Sequence, residues 1–242
     1  MTTREPETLV LPAAEGPVVS LDDVTKTYQT GAVAVQALRG VTLDVFRGEY
    51  VAIMGPSGSG RSTLMNILGC LDVLTTGRYL LNGHDVANLG ENDLADIRNK
   101  EIGFVFQQFN LLPALSAWRN VELPLFYGGV APAERRQRAV DALERVGLGS
   151  RIHHRPGELS GGQQQRVAVA RALASEPAMI LADEPTGNLD SASTDDVLSL
   201  FAELHETGRT VVLITHEHEV GARAQRMVHV RDGRITDAEV AA

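Results

Sequence analysis

Three runs of the chain are almost continuously apolar: Val51-Ala-Ile-Met54, Met179-Ile-Leu-Ala182 and Val211-Val-Leu-Ile214. Such runs suit strands buried on both faces of a parallel sheet. With shorter β-type stretches they predict strands over 18–24, 41–46, Tyr50–Met54, Ile102–Phe106, 179–182, Thr210–Thr215 and 227–231. Helical patterns alternate with them, over 62–69, 91–99, 132–146, 162–174, Ser191–Glu206 and near 218–224. Pro132 stands in the first turn of one of these helices and Gly147 closes it, the usual asymmetry of helix ends. Asn82-Gly83 and Asp232-Gly233 are hairpin turns, because both residue types accept positive φ cheaply. The second turn predicts a late hairpin over 228–237 that closes the domain.

Alternation of strand and helix makes this an α/β protein. The stretch from about 107 to 165 breaks the alternation. It reads as a mainly helical subdomain inserted into the core, entered through 107–113 and left through 155–159. Residues 1–17 hold three prolines and few large apolar side chains, and read as a loose arm before a domain spanning 18–240.

Composition then narrows the partners. The formal net charge is −9, which argues against a duplex nucleic-acid binder, since that needs a basic surface to displace counterions. Arg135, Arg136 and Arg138 read as a solvated helix face. A single cysteine, Cys70, rules out a disulfide framework within the chain and fits a reducing compartment. It reads as a core residue of an apolar helix over 67–71. The N-terminus lacks a basic-then-apolar leader, and no apolar stretch reaches the roughly 18–20 residues a spanning helix needs. The expectation is a soluble chain whose membrane role, if any, comes through a partner.

The strand Tyr50–Met54 runs into Gly55, Pro56, Ser57, Gly58, Ser59 and Gly60, followed by Arg61, Ser62 and Thr63 at a helix start. Strand, glycine loop and helix are the context of a phosphate-binding loop. The glycines let backbone N–H groups turn inward on phosphate oxygens, and the helix end adds partial positive charge. Ser62 stands where a hydroxyl would ligate Mg²⁺, with Thr63 beside the α-phosphate. The strict pattern has lysine where this chain has Arg61. A guanidinium keeps the charge but is larger, planar and forked. Losing one preorganised transition-state donor costs about 2.7–4 kcal/mol in a protease example, and a misplaced charge is of that order. The expectation is partial ATP binding with reduced turnover.

The apolar run 179–182 ends in Asp183 and Glu184. Below a phosphate loop, the first carboxylate suits a Mg²⁺ ligand acting through water, and the second suits a base for the attacking water. Leu159-Ser160-Gly161-Gly162-Gln163 precedes a strong helix, which makes a second place where exposed backbone amides and a helix dipole favour an anion.

Taken together, these residues resemble the ATP-binding cassette family of transporter subunits over roughly 18–237. The stretch 55–63 looks like its Walker A loop, apart from Arg61, and 180–183 like its Walker B strand. Leu159–Gln163 matches the family signature without substitution. By this resemblance Glu184 is the catalytic glutamate and His216 the switch histidine that contacts the γ-phosphate. Gln107, which has Gln108 as a neighbour, is the glutamine that approaches Mg²⁺ and the attacking water. Asp190 belongs to the D-loop in Gly187-Asn-Leu-Asp190, and Tyr28 is the ring that stacks on adenine. The implied fold is a P-loop NTPase (RecA-like) core with an antiparallel β subdomain and the inserted helical subdomain. The implied ligands are ATP and Mg²⁺, with the metal held by Ser62, Gln107 and Asp183.

The family logic also implies a head-to-tail homodimer. Each ATP lies between the Walker A loop of one copy and the signature of the other, beneath a separate membrane permease on the inner face of the cell membrane. A narrower resemblance, to the macrolide-export and lipoprotein-release subgroup, rests on 69–72, 104–113, 120–124 and Gln163-Gln164-Gln165. It places 110–115 and Trp118 near the groove that receives the permease. The leading function is an ATP-hydrolysing motor for export. A non-hydrolysing regulatory module is the alternative that Arg61 favours. A soluble cassette acting on DNA or ribosomes is disfavoured, because those usually carry long insertions or a second cassette.

Overall fold

The computed structural model describes residues 16–31 and 33–240. The expected arm over 1–17 lies almost wholly outside the described residues. Two sheets form the framework. The first is antiparallel, with order β2-β1-β4-β5, built from β1 (Val19–Thr30), β2 (Val33–Val45), β4 (Thr76–Leu81) and β5 (His84–Asp85). The second has order β10-β9-β3-β8-β7-β6. Its members are β3 (Tyr50–Met54), β6 (Ile102–Phe106), β7 (Met179–Asp183), β8 (Thr210–Thr215), β9 (Arg226–Arg231) and β10 (Arg234–Val240). All its pairings are parallel except β9–β10, the hairpin turned by Asp232 and Gly233.

The apolar runs are continuous because each central strand feeds two cores. Side chains alternate across a sheet. Ala52, Ile180, Ala182, Val211 and Leu213 enter the core on the helical side. Val51, Ile53, Met179, Leu181, Val212 and Ile214 enter the core shared with the antiparallel sheet and α1 (Arg61–Leu68). The other helices are α2 (Glu91–Glu101), α3 (Ala117–Tyr127), α4 (Pro132–Arg145), α5 (Gly161–Leu173), α6 (Ser191–Glu206) and the short α7 (His218–Gly221).

Several sequence expectations shift. The strand expected at 18–24 continues to Thr30, and that at 41–46 is the second half of β2. Polar residues obscure both, because this hairpin stands partly in solvent. β4 and β5 were signalled only by the Asn82-Gly83 turn between them. Helix α3 was not anticipated, since Pro124 lies inside it. Its buried positions Ala117, Val121 and Leu125 keep a four-residue spacing, and Asn120 anchors the segment before it. The Asn120 amide donates to the carbonyls of Leu112, Leu115 and Ser116, while its oxygen accepts from Leu112 N at 2.7 Å. The limit drawn at 165 falls inside α5, which runs on to Leu173. Cys70 is not in a helix: α1 ends at Leu68, and Cys70 sits in the following turn at φ 50°. It is buried as expected, and burial pushes its thiol up to about 11. Among the described residues no helix is long and apolar enough to cross a membrane.

Candidate functional site

The loop between β3 and α1 is pinned from both sides. Ser59 N donates to Pro56 O at 3.2 Å, Gly233 N donates to Ser59 O at 2.8 Å, and Leu64 N to Gly60 O at 2.8 Å. Gly60 has φ 104°, and a Cβ there would stand 2.7 Å from Ala37 O. Gly58 has φ 77° with nothing within 4 Å of such a Cβ. The loop therefore turns a bare backbone face outward. A cleft of about 590 Å³ lies on one flank, lined by Gly55, Pro56, Ser57, Arg61, His216 and His229 among others. A second, of about 360 Å³, is lined by Val35, Arg39, Gly60, Ser62 and Thr63 among others.

Two buried polar atoms of the loop, Ser59 Oγ and Arg61 Nε, have no partner among the described residues. Buried polar groups are nearly always paired, so unpartnered ones call for an explanation such as a ligand. Arg61 lines both clefts, so a phosphate held by the loop would lie beside its guanidinium.

Glu184 is the junction of the site. It follows β7 at φ 43°, a left-handed conformation rare for a residue with a side chain. Its N–H donates to Ile214 O at 2.8 Å, which holds this turn against the end of β8. Its Oε1 accepts from Arg61 Nη1 at 3.0 Å and lies 2.7 Å from His216 Nδ1, and its Oε2 accepts from Thr215 Oγ1 at 3.1 Å. The Arg61 and Glu184 side chains are only 13% and 16% exposed, so their charges are weakly screened. Asp183 next door has its carboxyl raised by burial first and by the Glu184 charge second, with Arg61 opposing. A part-buried carboxylate raised in this way beside a second negative charge is a place a divalent cation would relieve. No group of three or more His, Cys, Asp or Glu side chains able to hold a metal exists among the described residues. Mg²⁺ in general takes one or two carboxylates and completes its shell with waters and substrate phosphates.

The remaining sequence candidates, Tyr28 apart, form a second group. Ser160 caps α5: Gln163 N donates to Ser160 Oγ at 3.3 Å, and Ser160 N to Gln163 Oε1 at 3.0 Å. Asp190 caps α6, accepting from Ser193 N and Ser193 Oγ, both at 2.9 Å. The backbone bond from Ser193 is the main reason its carboxyl is held low. The two helix starts touch, for a Cβ on Gly162 would stand 2.9 Å from Ser193 Oγ, and one on Gly161 3.4 Å from Leu189. Gln107 joins the same region. Its Nε2 donates to Asn188 Oδ1 at 3.3 Å, and Asn188 Nδ2 returns a bond to Gln107 O at 3.0 Å. Tyr28 is 37% exposed on β1, opposite Val35 of β2.

Sequence reasoning missed the braces of this site. Asn188 and Thr215 were read only as loop and strand residues. Gln165, fully buried, donates to Pro185 O at 2.6 Å and so ties α5 to the turn after Glu184. Arg171 donates to the carbonyls of Phe109 and Asn110, two residues at positive φ. The only signal for either was an uncharged polar or cationic residue at a buried helical position. A mostly apolar cleft of about 630 Å³ is lined by Leu71, Phe104, Asn110, Pro124, Tyr127 and Arg171 among others, and of the residues expected near a permease groove, 110–115 and Trp118, only Asn110 lines it. Trp118 stacks instead with Arg119 and Arg136.

A mainly parallel sheet with a glycine loop after its central β3, and paired acids at the end of the next strand but one, is the core of a P-loop NTPase. Comparison with known proteins places it further. A sequence model for the family described as ABC transporter matches residues 38–187. An uncharacterized ABC transporter ATP-binding protein of Thermotoga maritima is 57% identical over 222 residues, 92% of this chain and 95% of that protein. The macrolide export ATP-binding/permease protein MacB of Hyphomonas neptunium is 55% identical over 219 residues, 90% of this chain but 34% of MacB. The ATP-binding cassette MJ0796, solved as a dimer in a post-hydrolysis state with ADP and Pi, is 46% identical with a TM-score of 0.83. That match covers 93% of this chain and 99% of the other. The chain belongs to the ABC transporter family.

Proposed function

We propose that the chain is the ATP-binding and ATP-hydrolysing subunit of an exporter, working as a head-to-tail homodimer on a separate permease at the inner face of the membrane. One observation carries the reading. Arg61 from the phosphate loop, Glu184 from the end of β7, and Thr215 and His216 from the end of β8 meet at a single carboxylate. That is the placement needed for a base beside a terminal phosphate.

In this reading the amides of 55–63 cradle the phosphates, Arg61 neutralises them, and Tyr28 stacks on the base. Ser62, Gln107 and Asp183 hold Mg²⁺, which when bound draws charge from the phosphate oxygens. Glu184 orients the attacking water and takes its proton, and His216 holds Glu184 in place. Ser160–Gln163 and Asp190 face the partner copy's nucleotide. Closure that needs two copies and ATP is a two-state element biased by a ligand. The dimeric state of MJ0796 and the fused permease of MacB support the assembly. The apolar groove between α2, α3 and α5 is the surface offered to the permease.

The same contact supports the second reading, a module that binds ATP without turnover, because the Arg61 guanidinium occupies the carboxylate that must act as base. Steady-state ATP hydrolysis by the chain beside Arg61→Lys, with ATP affinity recorded for both, separates the two. Turnover in the parent above background supports the motor. ATP binding without turnover, restored by Arg61→Lys, supports the held module, and no ATP binding by either sinks both.

A further inference from the structure

The nucleotide reading gives Arg61 a phosphate to bind, while the structure gives it a different partner. Its Nη1 donates to Glu184 Oε1 at 3.0 Å, and its Nε is buried with none. One guanidinium thus stands between two anionic acceptors: the carboxylate at the end of β7, and any phosphate in the loop from which Arg61 itself projects. A guanidinium pairs best through two parallel donors, and only one is used toward Glu184. Its Nε, buried and without a partner among the described residues, becomes a donor for a phosphate oxygen only once the guanidinium turns.

We propose that Arg61 makes phosphate binding and release of Glu184 a single exchange: phosphate entering the loop draws the guanidinium off the carboxylate, which is then held only by Thr215 and His216. Arg61 is a positioning residue for Glu184 in this scheme, and nucleotide itself frees the base. The cost falls on affinity, because every nucleotide that binds must break the Arg61–Glu184 pair. The inference rests on the nucleotide reading of the loop.

The test is a double-mutant cycle on affinity for MgADP, measured by calorimetry. MgADP reaches the loop with its β-phosphate but brings no γ-phosphate to be repelled by Glu184. Glu184→Gln keeps the shape and removes the charge that holds Arg61. It is expected to tighten MgADP binding by about 3–10-fold, or about 0.7–1.4 kcal/mol. In the Arg61→Met background the same change is expected to alter affinity less than about 1.5-fold. Thermal melts check that each form is folded, and Arg61→Gln replaces Arg61→Met if the latter is not. Equal tightening in both backgrounds would show a general field effect of Glu184 and overturn the exchange, as would no tightening in the Arg61 form. Failure of every folded form to bind MgADP would overturn the nucleotide reading itself.

Discussion

The Tyr28 hydroxyl donates to Asp72 Oδ2 at 2.8 Å, which ties a ring on β1 to the turn that follows α1. Lys26 completes the arrangement. Its ammonium donates to Asp72 Oδ1 at 2.6 Å and to Val73 O at 2.7 Å, and lies 4.9 Å from the Tyr28 ring centroid. Burial alone would raise the Asp72 carboxyl, but the bonds from Lys26 and Tyr28 outweigh it and hold the group low. The ring is thus fixed at its hydroxyl end and by a cation near its face, which preorganises it for stacking on a base.

If that is its role, Asp72→Ala weakens ATP by about 3–10-fold, or about 0.7–1.4 kcal/mol, while tripolyphosphate, which has no base, changes less than about twofold. Calorimetric titration with the two ligands makes the comparison. Equal losses would assign Asp72 a purely structural part.

Glu184→Gln should lower ATP hydrolysis by about 10²–10⁴-fold, the range of a general base, without losing ATP binding. Phosphate release and calorimetry on the same preparation measure both. Retention of turnover within a few-fold would remove Glu184 from the chemistry.

Asp183 sets a pH dependence with a definite sign. Burial and then Glu184 raise its folded-state value above the ordinary 3.8. Between those two values the folded protein binds more protons than the unfolded chain, so this group's contribution to stability falls as pH rises through that window. At neutral pH and without Mg²⁺ the charged form is a net cost. Asp183→Asn should therefore raise Tm by about 2–4 °C for each kcal/mol relieved, and the gain should vanish in acid. It should also abolish the Mg²⁺ dependence of nucleotide affinity. Scanning calorimetry across pH, with and without Mg²⁺, reads both.

Gly60→Ala places a Cβ 2.7 Å from Ala37 O at φ 104°. A strained conformation of this kind costs on the order of 1–3 kcal/mol, here in the loop itself. Urea unfolding should show the loss, and nucleotide affinity should fall with it. Wild-type stability in this variant would mean the loop relaxes freely.

Gln165→Leu keeps the bulk of the side chain and removes its donor, leaving Pro185 O without its 2.6 Å bond. An unpaired buried acceptor costs about 1–3 kcal/mol, visible as a lower urea midpoint at unchanged slope.

Much of the framework was legible because its causes are local. Val51–Met54, Met179–Ala182 and Val211–Ile214 are apolar at every position, and only strands facing two cores need that pattern. Asp232-Gly233 turned the last hairpin because both residues take positive φ. Ser160 and Asp190 cap helices through bonds to residues three positions on. Where local signals conflicted, reading failed: Pro124 hid α3, whose stability comes from burying Ala117, Val121 and Leu125 against other helices. The polar exposed positions of the β1–β2 hairpin hid its length, since its pairing depends on the partner strand and not on side-chain alternation alone.

By itself the sequence determined which chemistry is present. It specified a glycine loop ahead of a helix, two acids at the end of an apolar strand, and an arginine where the loop pattern has lysine. Each is a matter of residues within a few positions of one another, so short-range backbone preferences suffice. Only the tertiary structure decided what Arg61 touches. Its partner Glu184 lies 123 positions away, at the end of a different strand, and Thr215 and His216 arrive from a third. Side-by-side pairing of β3, β8 and β7 brings those strand ends together. Long-range register of this kind is set by packing of both cores at once, which no local pattern encodes.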